Sequence, residues 1–150
     1  MRWKEDGELS SNETFDMKTT IEQSRHLAEL GVDLKTADLT YEKLAIWNKG
    51  DFPEEFQYRL REMHFQYFSG IGVPCWSLEA LLELMPEVLD GSCGLSIYKE
   101  DDEWMVCYED GCGHVYGHEE TSFDIVLAAY RMVVWLVENG YIKTEKEKKQ

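Results

Sequence analysis

The sequence predicts an α+β domain: a small antiparallel sheet, with a meander over about 94–117, packed against a long C-terminal helix over about 122–139 and two or three shorter helices. Three observations predict it. The stretch 122–140 is apolar around more than half of a helical circumference and carries cap residues at both ends. From Gly94 the apolar period changes from that of a helix to that of a strand, with turn residues between the runs. Two shorter segments, about 20–30 and 77–85, each carry one apolar face with its own cap and stop. A chain of 150 residues that is 43% hydrophobic can bury a core without cross-links.

Residues 1–16 are polar, with Trp3 and Phe15 as their only aromatic side chains, and read as a flexible extension. Residues 17–142 read as the single globular domain, and 143–150 as a charged flexible tail. The first helix opens on Thr20, which with Gln23 forms a capping box. Ile21, Leu27, Ala28 and Leu30 make its apolar face, and Gly31 ends it. Residues 32–39 read as a loop, and Tyr41, Leu44, Ile46 and Trp47 suggest a short strand. A turn is expected over 48–51. Pro53 suits the first position of a helix in which Phe56, Leu60 and Met63 stand at i, i+4 and i+7. Glu54, Glu55, Arg59, Arg61 and Glu62 would be its wet side. Residues 64–68 alternate weakly as a strand would.

Residues 70–74 read as a loop. They do not make a dinucleotide fingerprint, because Pro74 and Cys75 stand where the helix should open. Ser77 caps the next helix, whose apolar positions are Leu78, Leu81, Leu82 and Met85. Trp76 precedes the cap as a staple against Leu81, and Pro86 stops the helix. Strands over 95–98 and 104–108 flank an acidic turn at 100–103. Asp110-Gly111 signals a two-residue type I′ turn into a third strand, 112–117. In the last helix Ser122 is the expected N-cap, Asp124 lies by the positive helix end, and Gly140 is the C′ residue.

The formal net charge of −15 narrows the partners. So acidic a surface repels phosphate backbones and anionic membranes, which excludes direct nucleic-acid and membrane binding as expectations. It either keeps the chain soluble or imitates nucleic acid before a basic partner. No apolar run approaches the roughly 20 residues that span a bilayer. The longest, 125–137, is interrupted by Tyr130 and Arg131. Residues 1–15 lack the apolar core of a secretion signal, so a cytoplasmic location is expected. Cys75, Cys93, Cys107 and Cys112 are then expected as free thiols.

Cys107, Cys112, His114 and His118 are the one cluster with metal-ligand chemistry. With a two-residue turn at 110–111, Glu109 faces Cys112, Cys107 faces His114, and Met105 faces Tyr116. All four candidate ligands then point to one face. Cys112 and His118 are nevertheless about 20 Å apart along an extended strand. At most Cys107, Cys112 and His114 could share a zinc ion, and their spacing is not a standard zinc pattern. A Cys107–His114 thiol–imidazole pair in mid-strand lacks an oxyanion hole. The same register assigns Ile97, Val106 and Val115 to the helix-packed face, with Leu95 and Tyr108 if the preceding turn is also two residues. Tyr98, Met105 and Tyr116 are left on the other as a candidate binding face. His26 and His64 stand alone on their elements as packing or surface residues, and Glu119-Glu120 reads as a solvated lead-in to the last helix. No residue is expected to be catalytic or to bind a cofactor.

Three blocks carry a resemblance: residues 20–31 with Thr36, Ala37 and Asp38; residues 74–86; and residues 128–141. They resemble a family of small uncharacterised proteins from gut bacteria and their phages or mobile elements. Met17 lies where such proteins usually begin, which agrees with reading 1–16 as an extension. The hairpin with its cysteines lies in the part that varies between blocks. The resemblance implies no activity and no site residues. The expected function is therefore a non-catalytic accessory interaction protein with a protein partner, in one variant an acidic mimic that occupies a basic partner. The alternative is a metal-binding or thiol-dependent enzyme built on Cys107, Cys112 and His114.

Overall fold

The computed structural model describes residues 17–43, 58–62 and 72–145. The fold is α+β. Helix α1 (Ile21–Leu30), a 3-10 turn (Leu34–Thr36), β1 (Leu39–Lys43), β2 (Tyr58–Glu62) and β3 (Val73–Cys75) come first. They are followed by α2 (Leu78–Leu84), β4 (Val88–Leu89), β5 (Cys93–Glu100), β6 (Glu103–Glu109), β7 (Val115–Ser122) and α3 (Ile125–Glu138). The strands form two antiparallel sheets, ordered β2-β1-β3 and β4-β5-β6-β7. The extension 1–16, the turn at 48–51, the helix start at Pro53, the strand over 64–68 and residues 146–150 lie outside the described residues.

Local chemistry explains the helix ends. Thr20 Oγ1 accepts the Gln23 N–H at 3.1 Å while Gln23 Oε1 accepts the Thr20 N–H at 3.0 Å, so two donors of the first turn are satisfied reciprocally. At the other end Gly31 takes φ 94, and the N–H groups of Gly31 and Val32 reach back to the Ala28 and Leu27 carbonyls. Ser77 caps α2 by accepting the Ala80 N–H, and Asp38 accepts both the Ser77 N–H and O–H, at 2.9 and 2.5 Å. Trp76 and Leu81 are both fully buried in one cluster, where a staple would put them.

The last helix begins later than expected. β7 pairs up to Ser122 opposite Trp104, so the backbone at Ser122 still belongs to the sheet. The N-cap is Asp124, which accepts the Val126 N–H at 2.9 Å, and Ser122 Oγ accepts the Asp124 N–H at 3.0 Å. The far end closes on Gly140 at φ 80, with its N–H on Val137 and the Tyr141 N–H on Leu136 at 2.8 Å.

Three other expectations are corrected. Residues 58–62 are a strand and not the continuation of a helix from Pro53: Tyr58 and Leu60 are half-buried while Arg59, Arg61 and Glu62 are exposed. Both arginines reach Glu42 of β1, at 2.8 and 3.1 Å, which requires them on the same side of the sheet. Residues 73–75 are a strand rather than a loop; β3 lies at the sheet's edge, where a proline without an N–H is tolerated.

The third correction concerns the β6–β7 connection. Glu109 pairs with Val115 rather than facing Cys112, leaving 110–114 as a loop. Asp110 Oδ1 accepts the N–H groups of Cys112 and His114, and Gly113 takes φ 83. This widens the connection beyond two residues. Between Glu109↔Val115 and Cys107↔Glu119 the ladder then shifts by two further residues on β7. The third strand is therefore 115–122 rather than 112–117, and the meander extends over 93–122. By contrast Asp101 and Asp102, both at positive φ, make a two-residue turn between β5 and β6.

α3 packs on β6, β7, α1 and α2, burying Val126, Ala128, Ala129, Met132, Val133, Leu136 and Val137. Val106 and Tyr108, with Leu95 and Ile97 partly, supply the facing sheet surface as expected. Val115 does not: it sits at the loop end of β7 and is 42% exposed. A second cluster, Leu39, Tyr41 and Cys75, lies on β1 and β3 with Ile21 of α1 against it. Buried Thr19 stitches this region together. Its hydroxyl accepts the Trp76 N–H at 3.1 Å and contacts Ser24, and its carbonyl accepts the Tyr41 O–H at 2.6 Å. Past α3, Thr144 is buried and the Glu145 N–H donates to Gly31 at 2.8 Å, so packing continues three residues into the stretch expected to be tail. No described helix is long and apolar enough to cross a membrane.

Candidate functional site

The hairpin residues are placed apart in character. Cys107 is fully buried in mid-β6, and burial first, then the carboxylates of Glu109 and Glu119, push its thiol up to about 11. It is protonated at neutral pH, the unreactive form for both nucleophilic attack and metal binding. Cys112 is exposed in the loop. His114 is exposed beside Asp110, 3.2 Å from Oδ2, and faces no cysteine. The backbone N–H groups of His114 and Cys112 hold the Asp110 carboxyl below its ordinary range. Among the described residues no three His, Cys, Asp or Glu side chains gather as a metal-holding group. On the expected binding face, Tyr98 and Met105 are direct cross-strand partners, but Met105 now faces Thr121 on its other side and Tyr116 falls in the irregular stretch of β7.

The same irregularity redirects His118. Glu120 pairs with Val106, whose side chain is in the core beneath α3, so Glu120 and His118 two residues before it share the helix-facing side. His118 stacks flat on Trp135, centroids 4.8 Å apart and planes 5° off parallel, and its Nε2 meets the Glu120 carboxylate. Trp135 is held further by Tyr141, stacked at 5.6 Å, whose hydroxyl donates to Asp90. From α1, His26 Nδ1 meets the Tyr130 hydroxyl at 2.5 Å with the rings edge-on.

These side chains line a groove of about 250 Å³ where α1, β7 and α3 meet. α3 supplies Arg131, Val134, Trp135 and Glu138, a stripe at i, i+3, i+4 and i+7 that lies on one helix face. Burial and the charges of Glu22 and Glu138 push the Tyr130 phenol up, against an opposing pull from Arg131. Its hydroxyl therefore keeps its proton at neutral pH. The groove thus combines an indole, two imidazoles, a phenol, two carboxylates and a guanidinium from three elements, and this convergence of polar groups on an aromatic floor makes it the candidate site. A larger cleft of about 430 Å³ lies between the 3-10 turn and α2, walled by Asp38, Glu79 and Glu83. Its Asp38 is already engaged by Ser77.

Sequence reasoning missed this groove. His26 and Tyr130 are 104 positions apart, His118 is expected beside the cysteines, and Glu120 is expected in solvent. Two signals were present: Tyr130 and Arg131 break the apolar run of the last helix, and His118-x-Glu120 shares one face in any strand. No family model matches the chain, and neither a curated protein nor a solved structure matches it.

Proposed function

We propose that the protein is a non-catalytic interaction protein that seats a basic segment of a protein partner in the groove between α1, β7 and α3. The observation that carries this reading is the placing of Glu120 and Glu138 around the Trp135 indole on a chain of net charge −15. The two carboxylates attract a guanidinium or ammonium group, while the Trp135 indole, stacked by His118 and Tyr141, stays part of the lining. The field of the whole chain draws cationic partners in and repels nucleic acid and anionic membranes. The resemblance to a family of small uncharacterised proteins from gut bacteria and their phages or mobile elements implies no activity that opposes this reading, and an acidic mimic of nucleic acid is its more specific form. The buried, protonated state of Cys107 supports binding over thiol or zinc chemistry on the hairpin.

The test is an NMR titration with hexaarginine amide at about 50 mM and about 300 mM salt. The expected shifts centre on the Trp135 indole N–H and the backbone of Glu120 and Glu138, and fade at high salt. Glu120→Gln and Glu138→Gln each weaken binding about threefold, and Arg131→Gln strengthens it, as expected for partly exposed charges. Shifts scattered over the whole surface, or affinities indifferent to these three substitutions, overturn the proposal.

A further inference from the structure

We infer that the groove is a proton-gated binding site, which holds a basic segment while His26 and His118 are neutral and releases it when both take up protons. The inference rests on the groove being the binding site. Two imidazoles from separate elements line one small groove, and imidazoles change charge between about pH 5 and 8. With both neutral, the lining sets one cation, Arg131, against two anions, Glu120 and Glu138. Two added protons offset this excess together with the nearby Glu22 charge, so the groove loses its net negative charge within the range where carboxylates stay ionised.

The geometry makes each proton count more than its charge. A protonated His118 forms an ion pair with the carboxylate it already touches, so Glu120 is no longer available to a partner's cation. The same ring lies flat against Trp135, where a charged imidazolium gains a cation–π contact that keeps it in the groove. A protonated His26 has no lone pair left for the Tyr130 hydroxyl and presents two donors. The charged and titratable groups facing the two rings are Glu120 on β7, Tyr130, Arg131 and Glu138 on α3, and Glu22 on α1, whose charge reaches Tyr130. Tyr141 backs Trp135 from beyond α3. On β6 the residue opposite Glu120 is Val106, which carries no charge.

The experiment measures hexaarginine amide affinity at about pH 7.5 and about pH 5.5, at constant ionic strength, on the full chain. The wild type should weaken about tenfold at the lower pH, and His26→Gln with His118→Gln should hold the change under about twofold. His114→Gln, a histidine on the exposed β6–β7 loop, should behave as wild type. Equal wild-type affinity at both pH values, or a double variant that keeps the full loss, overturns the gate while leaving the binding site standing. No binding at either pH overturns the binding site and the gate together. A measurement on the wild type alone covers a double variant that does not fold. Binding and protonation are reciprocal, so saturating hexaarginine must lower the NMR titration midpoints of His26 and His118. Unmoved midpoints overturn the gate.

Discussion

At the scale of single residues, burial decides what the polar side chains can do. Cys107 is the clearest case. Spacing alone pairs its thiol with His114 as a candidate nucleophile, yet burial and the carboxylates of Glu109 and Glu119 favour its neutral form. Tyr108, fully buried with its hydroxyl on the Pro86 carbonyl, is pushed up to about 12 by burial alone. Tyr41 is raised for the same first reason, with the nearby Cys75 adding to it. Each folded value lies above its unfolded one, so the folded state holds these protons longer than the unfolded chain does. Their stabilisation is complete below the unfolded values and is lost as pH rises through the folded ones. Stability should therefore fall between about pH 9 and 11 through Cys107, from its ordinary 9.0 to about 11, and on towards 12 through Tyr108. Urea midpoints measured across that range test this, and Cys107→Ala should delay the onset of the decline. A midpoint that stays level to pH 11 would refute the account.

At the scale of elements, the sequence is legible where structure is decided locally and opaque where distant residues decide it. The ends of α1 and α2 could be read because Thr20, Gln23, Gly31 and Ser77 act within a few residues of themselves. The β5–β6 hairpin could be read because its alternation and acidic turn are also local. β2 could not, since Leu60 satisfies a helical spacing and a strand spacing equally, and what selects the strand is its partner Tyr41 with Glu42 beside it. The β6–β7 register could not, because Asp-Gly signals a tight turn whereas Asp110 builds a wider one with its side chain. The groove was illegible for the same reason, as it needs α1, β7 and α3 in place first.

Gly72 illustrates a non-local demand on one position. A Cβ there would lie 2.7 Å from the Tyr41 carbonyl oxygen and 2.8 Å from Thr40 Oγ1, so β3 reaches β1 only because no side chain intervenes. Gly72→Ala should therefore destabilise by about 1–3 kcal/mol through overpacking, against the usual small gain from stiffening the unfolded chain. Chemical denaturation measures it, and an unchanged or raised midpoint would show that the Thr40 hydroxyl and the strand edge give way freely.

At the scale of the whole molecule, two opposing uses of charge meet in one chain. A net charge of −15 repels itself in the compact state, while the binding proposed for the groove would draw on that same field to gather a cationic partner. Glu42 with Arg59 and Arg61 does little to offset the repulsion, because the cluster is exposed on both sides and solvent screens it. The core does the holding, with α3 as the element that touches α1, α2, β6 and β7. Salt should consequently move stability and binding in opposite directions. Raising it from about 20 mM to about 300 mM shortens the screening length about fourfold, which relieves the repulsion and should raise Tm by a few degrees. The same salt should weaken hexaarginine amide, whose attraction to the groove it screens. Calorimetry with and without the peptide reads both effects in one series: the Tm of the free chain climbs with salt while the increment due to peptide shrinks. A free-chain Tm that falls would assign net stabilisation to surface pairs such as Glu42 with its two arginines. A peptide increment that persists at high salt would mean that apolar contact with the groove, rather than the acidic field, supplies the affinity.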